Sequence, residues 1–145
     1  MKSKTKSKQM ALYIVAVMLA VMMLTALVRT QSTSTQCDQS VKSDCLGPNC
    51  VIGYAYQKTW TCVSYDQYYI ISSTGNVELQ SGGIYGFSVV SSSHPYSWYC
   101  GPDTGGILIY YRIDQDVVNW YVIGSSTPDT WTTQSGVTVY GHLCP

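Results

Sequence analysis

The stretch "ILIYYRIDQDVVNWYVIG", residues 107–124, decides the fold class. Its apolar residues are mostly β-branched or aromatic, and they show none of the three-and-four spacing of a buried helix, so the segment reads as strand. Two runs stand out, "ILIYYRI" (107–113) and "VVNWYVIG" (117–124), with Asp114 and Asp116 between them. Carboxylates two positions apart on a strand point to one side, as a calcium-binding or acid–base pair would. Their expected role is plainer: two solvated acids at a strand entrance.

Working outward, the same texture fills the chain from Val51. Further strand-like runs are "VIGYAYQ" (51–57), "TWTCVSY" (59–65), "QYYIISS" (67–73), "VELQ" (77–80), "IYGFSVVSS" (84–92), "SWYC" (97–100) and "VTVYGHL" (137–143). "STGN", "SGG", "HP", "GPDTGG" and "TPDT" separate them as turns. No window after Arg29 has a helical period to compete. Many short strands at this spacing predict an all-β domain over 51–145, a small disulfide-linked sandwich or compact barrel following an N-terminal apolar helix. The segments 84–98 and 117–131 also align at an offset of 33, sharing Val, Ser-Ser, Pro and Trp positions. They read as two similar β-turn-β corners with Trp98 and Trp131 as core anchors.

Upstream the composition changes. Lys2, Lys4, Lys6 and Lys8 form a basic tail over 1–10, and Arg29 brings residues 1–30 to five positive charges with no acid. Residues 31–145 hold three basic and eight acidic side chains, a net of −5, so the formal neutrality of the chain hides two oppositely charged parts. Such an acidic domain with scattered charges argues against nucleic acid as a partner. Between the parts, Ala11 to Val28 is eighteen residues without a charge, about 27 Å as a helix against a hydrocarbon core of about 30 Å. A cleavable signal has a shorter apolar region ending in a small-x-small site, and no Ala-x-Ala follows here. Residues 11–28 are therefore read as a signal-anchor in the lipid bilayer, N-terminus cytoplasmic by the positive-inside rule. Cleavage and secretion is the competing reading. Both put residues 31–145 outside the cytoplasm.

"RTQSTSTQ" (29–36) reads as a Ser/Thr stalk, and "CDQSVKSDCLGPNC" (37–50) as an irregular cysteine-rich segment that needs covalent links to hold a shape. Cys37, Cys45, Cys50, Cys62, Cys100 and Cys144 all follow the apolar run, an even count that reads as a disulfide framework in an exported domain. Cys62 and Cys100 lie within apolar-aromatic strands, so they are expected to join two strands, with Cys144 returning to Cys37, Cys45 or Cys50. The 37–45–50 spacing lacks the Cys-x-x-Cys of a zinc module, and no metal or other cofactor is expected. No Asn-x-Ser/Thr acceptor is present.

Groups able to carry catalysis are few. His94 in "SSSHPYSW" and His142 in "VYGHLCP" read as surface or strand-end imidazoles, no Gly-x-Ser-x-Gly elbow occurs, and the chain is not expected to be an enzyme. The real excess is aromatic: twelve of the 13 tyrosines lie beyond residue 30, with Trp60, Trp98, Trp120 and Trp131. Adjacent tyrosines on a strand face opposite ways, so one of Tyr68 and Tyr69, and one of Tyr110 and Tyr111, should lie on an outer face. With Trp98 and Tyr99, these are the candidate binding residues, suited to a protein surface, to further copies of the chain, or to a glycan.

A lysine-tailed apolar segment followed by a Ser/Thr/Tyr-rich, charge-poor, cysteine-containing β domain is similar in composition to small exported proteins of unknown function in hyperthermophilic archaea and their viruses. The resemblance covers the whole chain, rests on no specific motif and transfers no site residue. It implies a host-membrane or envelope-associated protein. The expected function is thus display of a β domain that acts by contact or surface assembly; a secreted carbohydrate-binding domain comes second and a small secreted hydrolase third.

Overall fold

Alternation of buried and exposed side chains runs through whole strands, and that alternation builds the domain. The structure, a computed structural model, describes residues 13–19, 32–83 and 87–145. Seven strands follow in order: β1 (Ser34–Leu46), β2 (Gly53–Tyr65), β3 (Ile70–Gly82), β4 (Phe87–Ser93), β5 (Tyr96–Pro102), β6 (Leu108–Val122) and β7 (Asp129–Tyr140). One antiparallel sheet has the order β1-β2-β3. In the other, β6 pairs with β7 on one side and with both β4 and β5 on the other. The sheets face each other, β1 against β7, β2 against β6 and β7, and β3 against β4 and β6. The all-β, disulfide-linked expectation holds, and the architecture is a two-sheet sandwich.

β4 and β5 behave as one interrupted strand. Ser93 lies opposite Val117 and Tyr96 opposite Asp114, so the same register carries His94 to the level of Asp116 and Pro95 to that of Gln115. Gln115 N donates to Pro95 O at 3.0 Å across the gap. Pro95 is tolerated because this is an edge, where no further strand needs its missing N–H. The second sheet is therefore a three-strand meander, like the first.

Inward positions are odd-numbered on β2 (Ala55, Gln57, Thr59, Thr61, Val63) and β7 (Trp131, Thr133, Ser135, Val137, Val139), and even-numbered on β6 (Tyr110, Asp114, Asp116, Val118, Trp120); all of these are buried. Each strand runs apolar, polar, apolar, with a polar stretch of two or three inward residues. Two apolar clusters result, one of Ala55, Phe87, Val118, Trp120 and Trp131, the other of Val63, Ile70, Tyr110, Val137 and Val139. A polar layer crosses the sandwich between them. Each fully buried aliphatic or aromatic side chain contributes roughly 1.5–3 kcal/mol, so apolar burial holds both ends of the sandwich.

Several expectations are corrected. "VIGYAYQ" and "TWTCVSY" are one strand, as are "ILIYYRI" and "VVNWYVIG". "STGN" is no turn, because β3 runs straight through it. The 37–50 segment is not irregular: β1 begins within the supposed stalk, at Ser34, and pairs with β2 along its whole length. Its low apolar content shows instead as exposure, since it is an edge strand. Of the two corner tryptophans, Trp131 is a core anchor and Trp98 is not, being 59% exposed.

The disulfides are Cys37–Cys62, Cys45–Cys50 and Cys100–Cys144, which overturns the expected Cys62–Cys100 bond. Thr61 and Val63 point inward, so Cys62 between them points out, where it meets Cys37 directly across from it on β1. Cys100 is turned inward on the opposite sheet, against the Tyr110 cluster, and reaches the C-terminal tail instead.

Residues 13–19 are helical, and among the described residues no helix is long and apolar enough to cross a membrane. The lysine tail 1–10, most of the 11–28 span, residues 29–31 of the stalk and residues 84–86 of "IYGFSVVSS" lie outside the described residues.

Candidate functional site

The polar layer is built from hydroxyls, two carboxylates, a guanidinium and one imidazole. Asp114 and Asp116 point to the same side of β6, as their spacing requires, but that side is the interior and both are fully buried. The expectation of solvated acids is therefore wrong. Burial works to raise the Asp114 carboxyl; hydrogen bonds from Arg112 and Thr61, with the charges of Arg112 and His94, outweigh it and hold it below the usual carboxylate range. Arg112 grips it with both Nε (2.8 Å to Oδ2) and Nη2 (2.9 Å to Oδ1), which raises the guanidinium above its ordinary value.

His94 is read from sequence as a surface or strand-end imidazole; it does stand at the β4–β5 break, and there it is bonded into the layer. Its Nδ1 lies 2.6 Å from Asp116 Oδ1 and its Nε2 3.1 Å from Asp114 Oδ1. Carboxylate oxygens only accept, so both contacts are hydrogen bonds when the ring carries both protons. In that form His94 and Arg112 balance the two carboxylates. The side chain is 27% exposed, so the ring closes the layer toward solvent.

Donor accounting also orients the hydroxyls. Thr59 Oγ1 donates to Asp116 Oδ2, which obliges the Thr133 hydroxyl, 2.6 Å away, to donate to Thr59; Gln57 Nε2 in turn donates to Thr133 Oγ1 at 2.9 Å. Likewise Thr61 Oγ1 donates to Asp114 Oδ2 at 2.8 Å and receives from Ser135 at 2.6 Å. Gln57 Oε1 accepts from Trp120 Nε1 at 2.9 Å, tying the layer to the first apolar cluster. No buried side-chain nitrogen or oxygen among the described residues lacks a partner. The arrangement can fix β2, β6 and β7 in one register. Both imidazole nitrogens are committed within it.

Beside this layer lies an uncovered surface. Tyr96 is opposite Asp114 and Trp98 opposite Arg112, so both take the inward face of β5. They are nevertheless 58% and 59% exposed, because no strand of the first sheet packs closely over β5. The Arg112 guanidinium sits 4.7 Å from the Tyr96 ring centroid, and its Nη1 donates to Ser73 O of β3 at 3.0 Å.

Of the other candidate residues, Tyr99 and Tyr111 stack on the outer face, centroids 5.8 Å apart, while Tyr110 is buried and its hydroxyl donates to Ser73 Oγ at 2.5 Å. Opposite orientation of the adjacent pair is as expected. Tyr68 and Tyr69 are both exposed, since they belong to the turn closed by Asp66, whose Oδ1 accepts from both their amides. The candidates are thus divided: Trp98 joins Tyr96 on one face, Tyr99 and Tyr111 share the other, and Tyr110 is core.

A second feature lies on the outer face of the first sheet, a shallow depression of about 490 Å³ lined by Cys37, Asp38, Gln39, Lys58, Trp60 and Cys62. Trp60 was not singled out from sequence as a site, and strand alternation beside buried Thr59 and Thr61 is the signal that turns it outward.

Comparison with known proteins finds no matching family model, no matching curated protein and no matching solved structure.

Proposed function

We propose that this chain is a single-pass, membrane-anchored display protein whose β domain stands outside the cytoplasm and works by contact with protein, whether a partner's surface or its own copies, without catalysis. The observation that carries the reading is the exposure of Tyr96 and Trp98 on the inward face of β5. Large aromatics on a strand face that a sandwich would normally cover are suited to an interface. Anchoring through residues 11–28 is supported by their charge-free length, and an external location by three disulfides. The commitment of both His94 nitrogens favours a positioning role over a general base. The compositional resemblance adds a host membrane or envelope as the setting.

The test uses the full chain in its native membrane. It should stay in the pellet after carbonate washing, and a photo-crosslinking residue at Trp98 should give discrete higher-mass bands that one at exposed Thr130, remote on β7, does not. Recovery of a soluble chain beginning after Ala26, or crosslinking indifferent to position, would defeat it. A secreted carbohydrate-binding domain is the second reading, favoured by the depression around Trp60, where an indole lies beside the Gln39 amide and the Lys58 ammonium. Glycan-array binding abolished by Trp60→Ala would establish that reading instead.

A further inference from the structure

One end of the sandwich receives the chain that follows residues 11–28. β1 starts there at Ser34, opposite Tyr65, so the β2–β3 turn lies beside it. The C-terminal tail closes the same end. β7 finishes at Tyr140, opposite Ile109; Gly141 N then donates to Leu108 O at 2.7 Å, and Leu143 N to Tyr68 O at 2.7 Å. The tail thus crosses from the second sheet to the first, and Cys144 fastens it to Cys100. The β5–β6 turn, 103–107, completes this end.

What the end presents to solvent is aromatic and aliphatic. Tyr68, Tyr69, Ile107, Tyr140 and Leu143 are 44–64% exposed there. Its carboxylates are turned back on their own turns: Asp66 Oδ1 accepts from the Tyr68 and Tyr69 amides, and Asp103 Oδ1 from those of Gly105 and Ile107. The three basic residues of 31–145, Lys42, Lys58 and Arg112, all lie within strands. Whatever covers this end is therefore held by apolar contact and phenol hydroxyls, with no lysine or arginine to attract an anion.

Chain length brings that surface to lipid. Residues 29–33 alone separate Val28, the last of the charge-free run, from Ser34, a reach of about 20 Å when fully extended. β6 by itself is 15 residues long, about 50 Å. With 11–28 in the bilayer, the Ser34 end is held near the headgroups and the other end can stand clear. The headgroup layer is about 5–8 Å thick on each side. Tyrosines collect at that level, ring toward the hydrocarbon and hydroxyl in water.

We infer that the Ser34 end of the domain rests on the lipid headgroup layer, with Tyr68, Tyr69 and Tyr140 as interfacial anchors and Ile107 and Leu143 beside them. This rests on the membrane-anchor reading above and adds an interaction surface distinct from β5.

The experiment places a photo-crosslinking residue at Tyr69, Ile107 or Tyr140 of the full chain in phosphatidylcholine vesicles, with Ile123 as the control. Ile123 is an equally exposed aliphatic just past the far end of β6. Phospholipid adducts, read as a mass shift of the labelled peptide, should form from the first three positions severalfold more than from Ile123. Tyr68→Ser with Tyr69→Ser keeps both amides on Asp66 and should lower the adduct yield from Tyr140 severalfold. Equal yield from Ile123, or a Tyr140 yield indifferent to the double substitution, would overturn the inference. Carbonate washing of the same vesicles reports the anchor separately. A chain that stays in the pellet yet gives no adducts from Tyr69 and Tyr140 overturns this inference alone, whereas a chain that washes off overturns the anchor with it.

Discussion

His94 Nδ1 and Asp116 Oδ1 lie 2.6 Å apart, joining the break in the edge strand to the fully buried centre of β6. The register places His94 across from Asp116, so the contact is a cross-strand pair at the point where strand pairing lapses. Removing the ring leaves Asp116 with only Thr59 on its carboxylate. Breaking a buried ion pair costs about 3–5 kcal/mol; partial exposure of His94 admits water, so His94→Ala should cost on the order of 2 kcal/mol. Urea unfolding should show a lower midpoint with an unchanged slope. A double-mutant cycle with Asp116→Asn should show the two effects to be non-additive.

Gly75 is the second probe of the layer. A methyl group there would overlap the Asp114 carboxylate, so the glycine is what lets β3 lie close over β6 at this level. Gly75→Ala should destabilise by about 1–3 kcal/mol as overpacking. Gly106→Ala is the contrast: its Cβ meets nothing, and the cost is that of its positive φ alone.

Acid should weaken the domain through Asp114. Its folded pKa is depressed below the unfolded value, so the carboxylate's contribution is fully present above the unfolded range of about 4 and is lost as pH falls through the folded value. Stability measured between neutral pH and about pH 2 should fall along an acid limb, and Asp114→Asn, less stable at neutral pH, should show a shallower one. An equally steep limb in the variant would assign the acid sensitivity elsewhere.

Peptide mapping without reductant should recover Cys37–Cys62, Cys45–Cys50 and Cys100–Cys144. In the chain-entropy picture the 44-residue separation of the last is worth about 4 kcal/mol, the 25-residue one about 3.5 and the five-residue one about 2. Paired Cys→Ser variants should lose thermal stability in that order.

The class of the fold was legible because period-two alternation and β-branched or aromatic content survive in β2, β6 and β7, whereas the exposed edge strand β1 carries neither. The breaks were misread for one physical reason. Strand interruptions were placed where polar residues cluster, at "QKT", "STGN" and "IDQD", and those clusters are the polar layer in the middle of β2, β3 and β6. One signal could have exposed this: parity is unbroken across each interruption, Ala55 to Val63 all odd and Tyr110 to Trp120 all even. A true turn has no reason to preserve it. The disulfides went astray similarly, since strand membership was used and facing was not.

Sequence by itself determined what depends on local periodicity and composition: an all-β domain, the opposite facing of Tyr110 and Tyr111, and an even set of six cysteines, all after the charge-free run 11–28. Tertiary structure alone decided what depends on which strand lies over which. Asp114 and Asp116 look like solvated acids until β2, β7 and the His94 corner close over them and supply every donor they need. Trp98 looks like core until β3 stops one strand short of it. Burial belongs to the pair of facing sheets, and a single strand's sequence records only which side it turns inward.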